Sequence, residues 1–319
     1  MPKPENFEVA IIGGGPAGLS CGAWLGRYLH KTLLIDSGDP RNWESSGVNG
    51  FLGLPGISPI ELRERGRVQC AMFDVEFVDG CVGRARRVAN DRFELQLDSG
   101  PVFTAQRLVL AFGLQDAWPN VPGLEHCYGL SAHHCPDCDG YEARGKRTVV
   151  IGNNRKAAAL SLALTTWTSD IIICTNGQPC GIDDQNLAKL QALNIPIIES
   201  AVRRAVSQGR HLQWLELEDG MQIDAEKLFF TVHHLPADDL GAALGCERDG
   251  DGLILVDETC RTSVEHVFAA GDITPGPQLA ISAAADGAIA AGAVHRSLLP
   301  AERRLSGRTA SPPLVSIHG

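Results

Sequence analysis

Nowhere in the 319 residues do eighteen uncharged apolar side chains follow one another, so no membrane-spanning helix is expected. The polar start MPKPENFEVAIIGGG passes straight into a short apolar run that ends at glycines, without the apolar region and cleavage site of a signal peptide. Positive charge is in deficit: 28 Lys and Arg stand against 38 Asp and Glu, a formal net charge of −10. That balance argues against non-specific nucleic-acid binding and against a basic membrane-facing surface, which leaves small molecules and proteins as partners. The ten cysteines are scattered through a chain too long for a disulfide-stapled miniprotein. A reducing, cytoplasmic setting is therefore expected, with most thiols acting as small buried hydrophobes.

What is present is enough apolar material for a sizeable core, 44% hydrophobic against 21% charged, over a length that suits two domains. EVAIIGGGPAGLSCGAWLGRYLHKTLLID reads as strand, tight turn, helix and second strand. RTVVIGNNRKAAALSLALTTWTSDIIICTNG, residues 147 to 177, repeats that unit well over a hundred residues later. Residues 81–113 and the stretch HLQWLELEDGMQIDAEKLFFTV alternate as short strands. Pro-containing joints near 115 (DAWPNVPG) and 235 (HHLPADD) mark boundaries, and the Arg/Ser/Pro-rich tail from Pro300 has no period.

GGGPAG sets Gly13, Gly15 and Gly18 at dinucleotide-fingerprint spacing, with Pro16 and Ala17 between them. It follows a strand, opens a helix, and the next strand ends in Asp36, whose carboxylate suits ribose hydroxyls. In HVFAAGDITPGPQLAISAAADGAIAA, a strand runs into Gly271 and Asp272, and a helix opens at Gln278, Leu279 and Ala280. Such an arrangement gathers a carboxylate and free backbone N–H groups at one spot.

HHCPDCDGYE, residues 133 to 142, admits a redox dithiol, a metal site or an inert core pair. Cysteines two residues apart close a small ring disulfide, Asp139 is placed to shuttle a proton, and a charged His134 favours a thiolate. His126, Cys127, His133, His134, Cys135 and Cys138 offer zinc ligands, but no second C-x-x-C pair stands at zinc-ribbon spacing, so no metal is expected.

The two nucleotide motifs together with CPDCDG ahead of an internal βαβ unit resemble the low-molecular-weight thioredoxin reductases, within the pyridine nucleotide–disulfide oxidoreductases. The resemblance covers nearly the whole chain. It implies two doubly wound, Rossmann-like α/β domains of three-layer ββα type: an FAD domain from residues 1–115 and 236–319, and an inserted domain, 116–235, that carries the dithiol. It implies FAD as cofactor, Cys138 as the thiol next to the flavin, Cys135 as the interchange thiol and Asp139 as proton donor and acceptor. By the same resemblance Asp36, Ser37 and Arg41 line the adenosine end, Asn49 and Ala111 approach the flavin, and Asp272 holds the ribitol chain. Thioredoxin or a small disulfide or dithiol is the implied partner, and a homodimer the implied assembly.

The chain departs from that family at the second turn, GNNRKA, where Asn154 replaces the glycine that lets a pyrophosphate approach. CTNGQPCGIDD, residues 174–184, then offers no cation for a 2′-phosphate and no strand-end acid for a free ribose. NADPH is thus not expected to be an efficient donor, an NADPH-dependent thioredoxin reductase being the alternative in which Arg155 and Lys156 substitute from the helix start. One precedent resembles the reductases that take electrons from ferredoxin. Another resembles the gliotoxin-type dithiol oxidases, which share the D-S-G-x-x-R-N run seen at Asp36 to Asn42 and the Gly-Tyr-Glu after the C-x-x-C. A flavin redox sensor without turnover is the alternative of a different class. His318 is a candidate base, or simply a terminal histidine, and the basic runs around Arg63 and Arg84 read as solvated faces rather than a docking patch.

Overall fold

A computed structural model describes residues 5–89 and 91–303. Contacts divide the chain into two compact units. One runs to Trp43, resumes over Gly50–Gln115 and takes the chain from His234 onward; the other is Glu44–Asn49 with Asp116–His233.

The first unit opens with β1 (Glu5–Ile12), α1 (Pro16–Arg27) and β2 (Thr32–Asp36), followed by α2 (Pro59–Ala71) and β3 (Glu76–Asp79). An antiparallel run, β4 (Val82–Val88), β5 (Arg92–Leu97) and β6 (Val102–Leu110), completes the sheet order β3-β2-β1-β6-β5-β4. β1 lies parallel between β2 and β6, with Ile12 opposite Ile35 and Leu110. It is apolar because both its faces are covered. Phe7, Ala10 and Ile12 pack with Phe93 and Leu95, whereas Val9 and Ile11 pack with Leu19, Leu25 and Val294 on the helical side.

α2 is a helix that apolar periodicity did not announce. Its signal is local: Ser58 precedes Pro59 and Glu61, and the Ser58 hydroxyl accepts the Glu61 N–H at 3.1 Å.

β7 (Leu114–Ala117) runs from the first unit into the second, where α3 (Leu124–Cys127), β8 (Ala132–His133) and α4 (Pro136–Asp139) precede the repeated βαβ, made of β9 (Thr148–Ile151), α5 (Arg155–Leu164) and β10 (Ile171–Cys174). Then come α6 (Asp184–Ala192), β11 (Ile197–Ile198), the meander β12 (Val202–Gln208), β13 (His211–Leu217) and β14 (Gln222–Asp224), and β15 (Lys227–Phe230), before β16 (His233–Pro236) runs back into the first unit. The main sheet is parallel, in the order β11-β10-β9-β15-β8. The same sidedness recurs: Val149, Ile151 and Phe230 face the meander's Leu212 and Leu215, while Val150, Ile173 and Phe229 pack with Ala157, Leu160 and Leu164 of α5.

The chain returns to the first unit through α7 (Leu240–Ala243), β17 (Val267–Ala269) and α8 (Ala280–Leu298). β17 pairs in parallel with β6, Val267 opposite Leu108. Both units are thus Rossmann-like α/β layers, and one is built from both ends of the described chain. Residues 301–303 form a single 3₁₀ turn, and His318 lies outside the described residues. No helix among the described residues is long and apolar enough to cross a membrane.

Candidate functional site

At the first turn the strand end and the helix start meet without side chains between them. Gly13 has φ 113°, and a Cβ there would sit 2.2 Å from the Ala111 carbonyl oxygen, so only glycine lets β1 and the end of β6 approach so closely. Gly15 is the residue before α1; it makes no side-chain cap, and nothing lies within 4 Å of where its Cβ would point. The α1 N-terminus therefore presents free N–H groups to open space, with Pro16 as the first helical residue, an arrangement suited to a phosphate. Asp36 ends β2 and is buried; Oδ1 accepts the N–H groups of Gly14 and Gly38, each at 3.2 Å. Its other oxygen pairs with Arg63 at 2.5 Å and Arg67 at 3.4 Å. Arg63 is thus a largely buried partner of the turn, not the solvated residue its basic run suggests, while Arg65, paired with Glu61, does lie at the surface.

From the other end of the chain, Asp272 follows Gly271 and meets Arg41 at 3.1 Å, and the same guanidinium donates to Gln278 at 2.9 Å and reaches His234 Nδ1 at 2.9 Å. Leu279 precedes α8 and Ala280 begins it, again without a side-chain cap. Ser37 is exposed just past β2. Asn49 groups with the second unit, where its amide donates to Glu142 at 3.3 Å. The neighbouring Glu44–Ser46 stretch is held there by Ser46 N–H to Gly129 and by Arg210 to the Glu44 carbonyl.

The second turn looks alike in sequence and differs in chemistry. Asn154 stands before α5 as Gly15 stands before α1, with extended backbone (φ −132°), and its side chain accepts the Lys156 N–H at 2.9 Å. The helix start is capped from within, and one of the N–H groups a pyrophosphate would use is taken. A cavity of about 290 Å³ beside it is lined by Trp118, Asn154, Lys156, Thr231 and His233.

The dithiol sits where β8 ends. Cys135 and Cys138 are joined as a disulfide, Cα atoms 5.3 Å apart, and both are partly buried. Cys135 caps the short α4, its sulfur accepting the Cys138 N–H at 3.2 Å. The Asp139 carboxylate lies 3.4 Å from His133 Nδ1, and His133 is buried. His134, the histidine singled out from sequence, instead meets the Tyr128 hydroxyl at 3.0 Å and lies 3.8 Å from Asp116.

A family model described as pyridine nucleotide-disulphide oxidoreductase matches residues 7–287. The chain belongs to the pyridine nucleotide-disulphide oxidoreductase family. Within this FAD-binding family the chain is thioredoxin reductase-like. It is 28% identical to thioredoxin reductase tcpT of Claviceps purpurea over 85% of this chain and 88% of that one. Among solved structures, HlmI shares 34% identity with a TM-score of 0.88, covering 92% of each chain. A thioredoxin reductase TrxB from Bacillus anthracis shares 29% at 0.86, covering 92% of this chain and 98% of that one.

As an oxidoreductase of this family the chain keeps most other thiols out of the chemistry. Burial pushes Cys70 up to about 11 and Cys260 up to about 12, and Cys21, beside them, higher still, so all three stay protonated at neutral pH. Among the described residues no group of three or more His, Cys, Asp or Glu is placed to hold a metal. Arg63, expected on a solvated face, instead answers Asp36, and His133, expected at most as a zinc ligand, instead stands beside Asp139.

Proposed function

We propose that this chain is an FAD-dependent thiol–disulfide oxidoreductase whose Cys135/Cys138 pair passes two electrons between FAD and thioredoxin or another small disulfide or dithiol. The observation that carries the reading is the bridged pair at the start of a short helix, with Asp139 as the next residue. Gly13, Gly15, Pro16, Ala17 and Gly18 are assigned to the pyrophosphate, Asp36, Ser37 and Arg41 to the adenosine end, and Asn49 and Ala111 to the flavin. Gly271, Asp272, Gln278, Leu279 and Ala280 are assigned to the ribitol and pyrimidine side. The open, uncapped start of α1 supports this fit. When bound, FAD supplies the two-electron couple that exchanges with the dithiol through Cys138.

Opening the disulfide consumes two electrons and two protons and yields two thiols. Cys135, as a thiolate favoured by the Cys138 N–H, attacks the external disulfide, forms a mixed disulfide and releases one thiol. Cys138 then attacks the Cys135 sulfur, restores the internal bridge and releases the second. Asp139 takes the proton from the attacking thiol and returns it to the departing sulfur.

NADPH is not the efficient donor in this reading, because Asn154 caps α5 and residues 174–184 hold no cation for its 2′-phosphate. A ferredoxin-like protein is the alternative source. The same cap favours a second reading, in which a small dithiol is oxidised and electrons leave through FAD to oxygen. A homodimer in the cytoplasm is part of the proposal, supported by the family resemblance.

The test is anaerobic mixing of FAD-loaded protein with excess NADPH, with dithionite as the reference for full reduction, alongside Cys135→Ser and Cys138→Ser. Disulfide turnover should vanish in both variants while FAD stays bound. Full turnover in either one removes the dithiol from the mechanism, and fast bleaching by NADPH removes the donor assignment alone.

A further inference from the structure

Behind the dithiol, inside the second unit, lies a chain of three titratable groups that leads away from solvent. Asp139 Oδ2 is 3.4 Å from His133 Nδ1, and His133 Nε2 is 3.2 Å from the ammonium of Lys227. His133 is 3% exposed and Lys227 6%. The lysine also donates to the Leu130 carbonyl, and β15 places it there by pairing in register with β8, Leu228 opposite Ala132 and Phe229 opposite His133. An amine buried this way is costly and a methionine of similar length would pack without that cost, so the position calls for an explanation beyond packing.

An ammonium only donates, so a charged Lys227 requires His133 Nε2 to accept, which leaves the ring proton on Nδ1, facing Asp139. Resting on the function proposed above, we infer that Lys227 acts through His133 as a positioning residue that sets the protonation of Asp139 and so times proton delivery to the dithiol. The transfer balances. Lys227 gives a proton to His133 Nε2 as His133 gives its Nδ1 proton to Asp139. This leaves a neutral amine, a neutral imidazole of the other tautomer and a protonated carboxyl. Asp139 then protonates the departing sulfur, and the proton it takes from the next attacking thiol returns along the same path, Asp139 to His133 Nδ1 as His133 Nε2 gives its proton to Lys227, which restores the ammonium and the starting tautomer.

The groups facing this relay are known. Burial and the nearby Lys146 lower the Lys227 pKa, Asp139, Glu142 and Glu226 raise it, and the net direction is down, towards a more easily released proton. The His133 ring packs against Phe229, with ring centroids 5.3 Å apart.

The experiment reads the wild-type FAD-loaded protein first, by the ¹⁵N shifts of the His133 ring. A proton on Nδ1 is expected. The opposite tautomer, with Nε2–H donating to the Leu130 carbonyl 3.1 Å away, overturns the inference whatever the variants do. Lys227→Met and Lys227→Gln are then compared with wild type over pH 5 to 9, following alkylation of the pre-reduced dithiol by iodoacetamide and its exchange with 5,5′-dithiobis(2-nitrobenzoate). Loss of the ammonium should move the acid limb of both profiles up by about one pH unit and slow exchange near neutral pH about tenfold. Profiles that keep the wild-type midpoints in a folded, FAD-loaded variant sink the relay and leave the dithiol mechanism standing. Failure of wild-type protein to exchange at all, matching Cys135→Ser, sinks the proposed function instead.

Discussion

The two βαβ turns of this chain are built on one plan and finished differently. Each begins at a glycine with positive φ, Gly13 at 113° and Gly152 at 157°, and each feeds a helix two residues after the next turn position. At the first, the residue before the helix is Gly15 and the helix start is open; at the second it is Asn154 and the start is closed by the residue's own side chain. The first turn also has a buried carboxylate, Asp36, bonded to two turn N–H groups and two arginines. Nucleotide binding by this fold depends less on the strand-turn-helix path than on whether the helix N–H groups are left for a ligand.

The largest effect should come from Gly13→Ala. Overpacking costs about 1–3 kcal/mol, and a left-handed backbone adds about 1–2 kcal/mol. Urea unfolding and the FAD-to-protein ratio should show a marginal apoprotein, and an unchanged midpoint would mean that β1 and β6 do not need their close approach. Gly15→Asn copies the second turn onto the first. It should weaken FAD binding about 100-fold, about 2.7 kcal/mol, and leave apoprotein stability within about 0.5 kcal/mol. Fluorescence titration with FAD reads this, and wild-type affinity would break the comparison at its centre.

Arg63→Met tests the clamp that the second turn lacks. Asp36 keeps Arg67 and two N–H donors but loses its nearest charge, and about 2 kcal/mol of stability should go with it. No loss in a denaturant midpoint would return Arg63 to the surface residues. The smallest change in stability is expected of Asn154→Gly, a few tenths of a kcal/mol. That variant should nonetheless speed anaerobic flavin reduction by NADPH about tenfold, the worth of roughly one hydrogen bond to a charged group. A rate equal to wild type would move the obstacle from the cap to the missing cations of residues 174–184.

Much of the fold was legible because its signals are local. TLLID is β2, and the GGGPAG turn and both βαβ units follow from runs of apolar and glycine residues that need no distant partner to be recognised. α2 was missed although Ser58, Pro59 and Glu61 announce its start, because its exposed, Arg-rich length shows little apolar periodicity. At the dithiol, spacing pointed to Cys135 and Cys138, which the structure joins, to Asp139, whose carboxylate meets His133, and to His134, which it turns towards Tyr128 and Asp116. Adjacent residues of a strand point to opposite faces, so a choice between His133 and His134 needs the strand's register.

The amino-acid sequence alone determined the two Rossmann-like units, the open first turn, the altered second one and the vicinal cysteines, since each is a matter of residue type at short spacing. Only the tertiary structure decided that Arg63 answers Asp36, that Asn154 spends its side chain on its own helix, and that Lys227, nearly ninety residues beyond the dithiol, stands behind His133. Those pairings are made by parallel strands and packed helices, which bring together groups far apart in the chain, and no local pattern records which ones will meet.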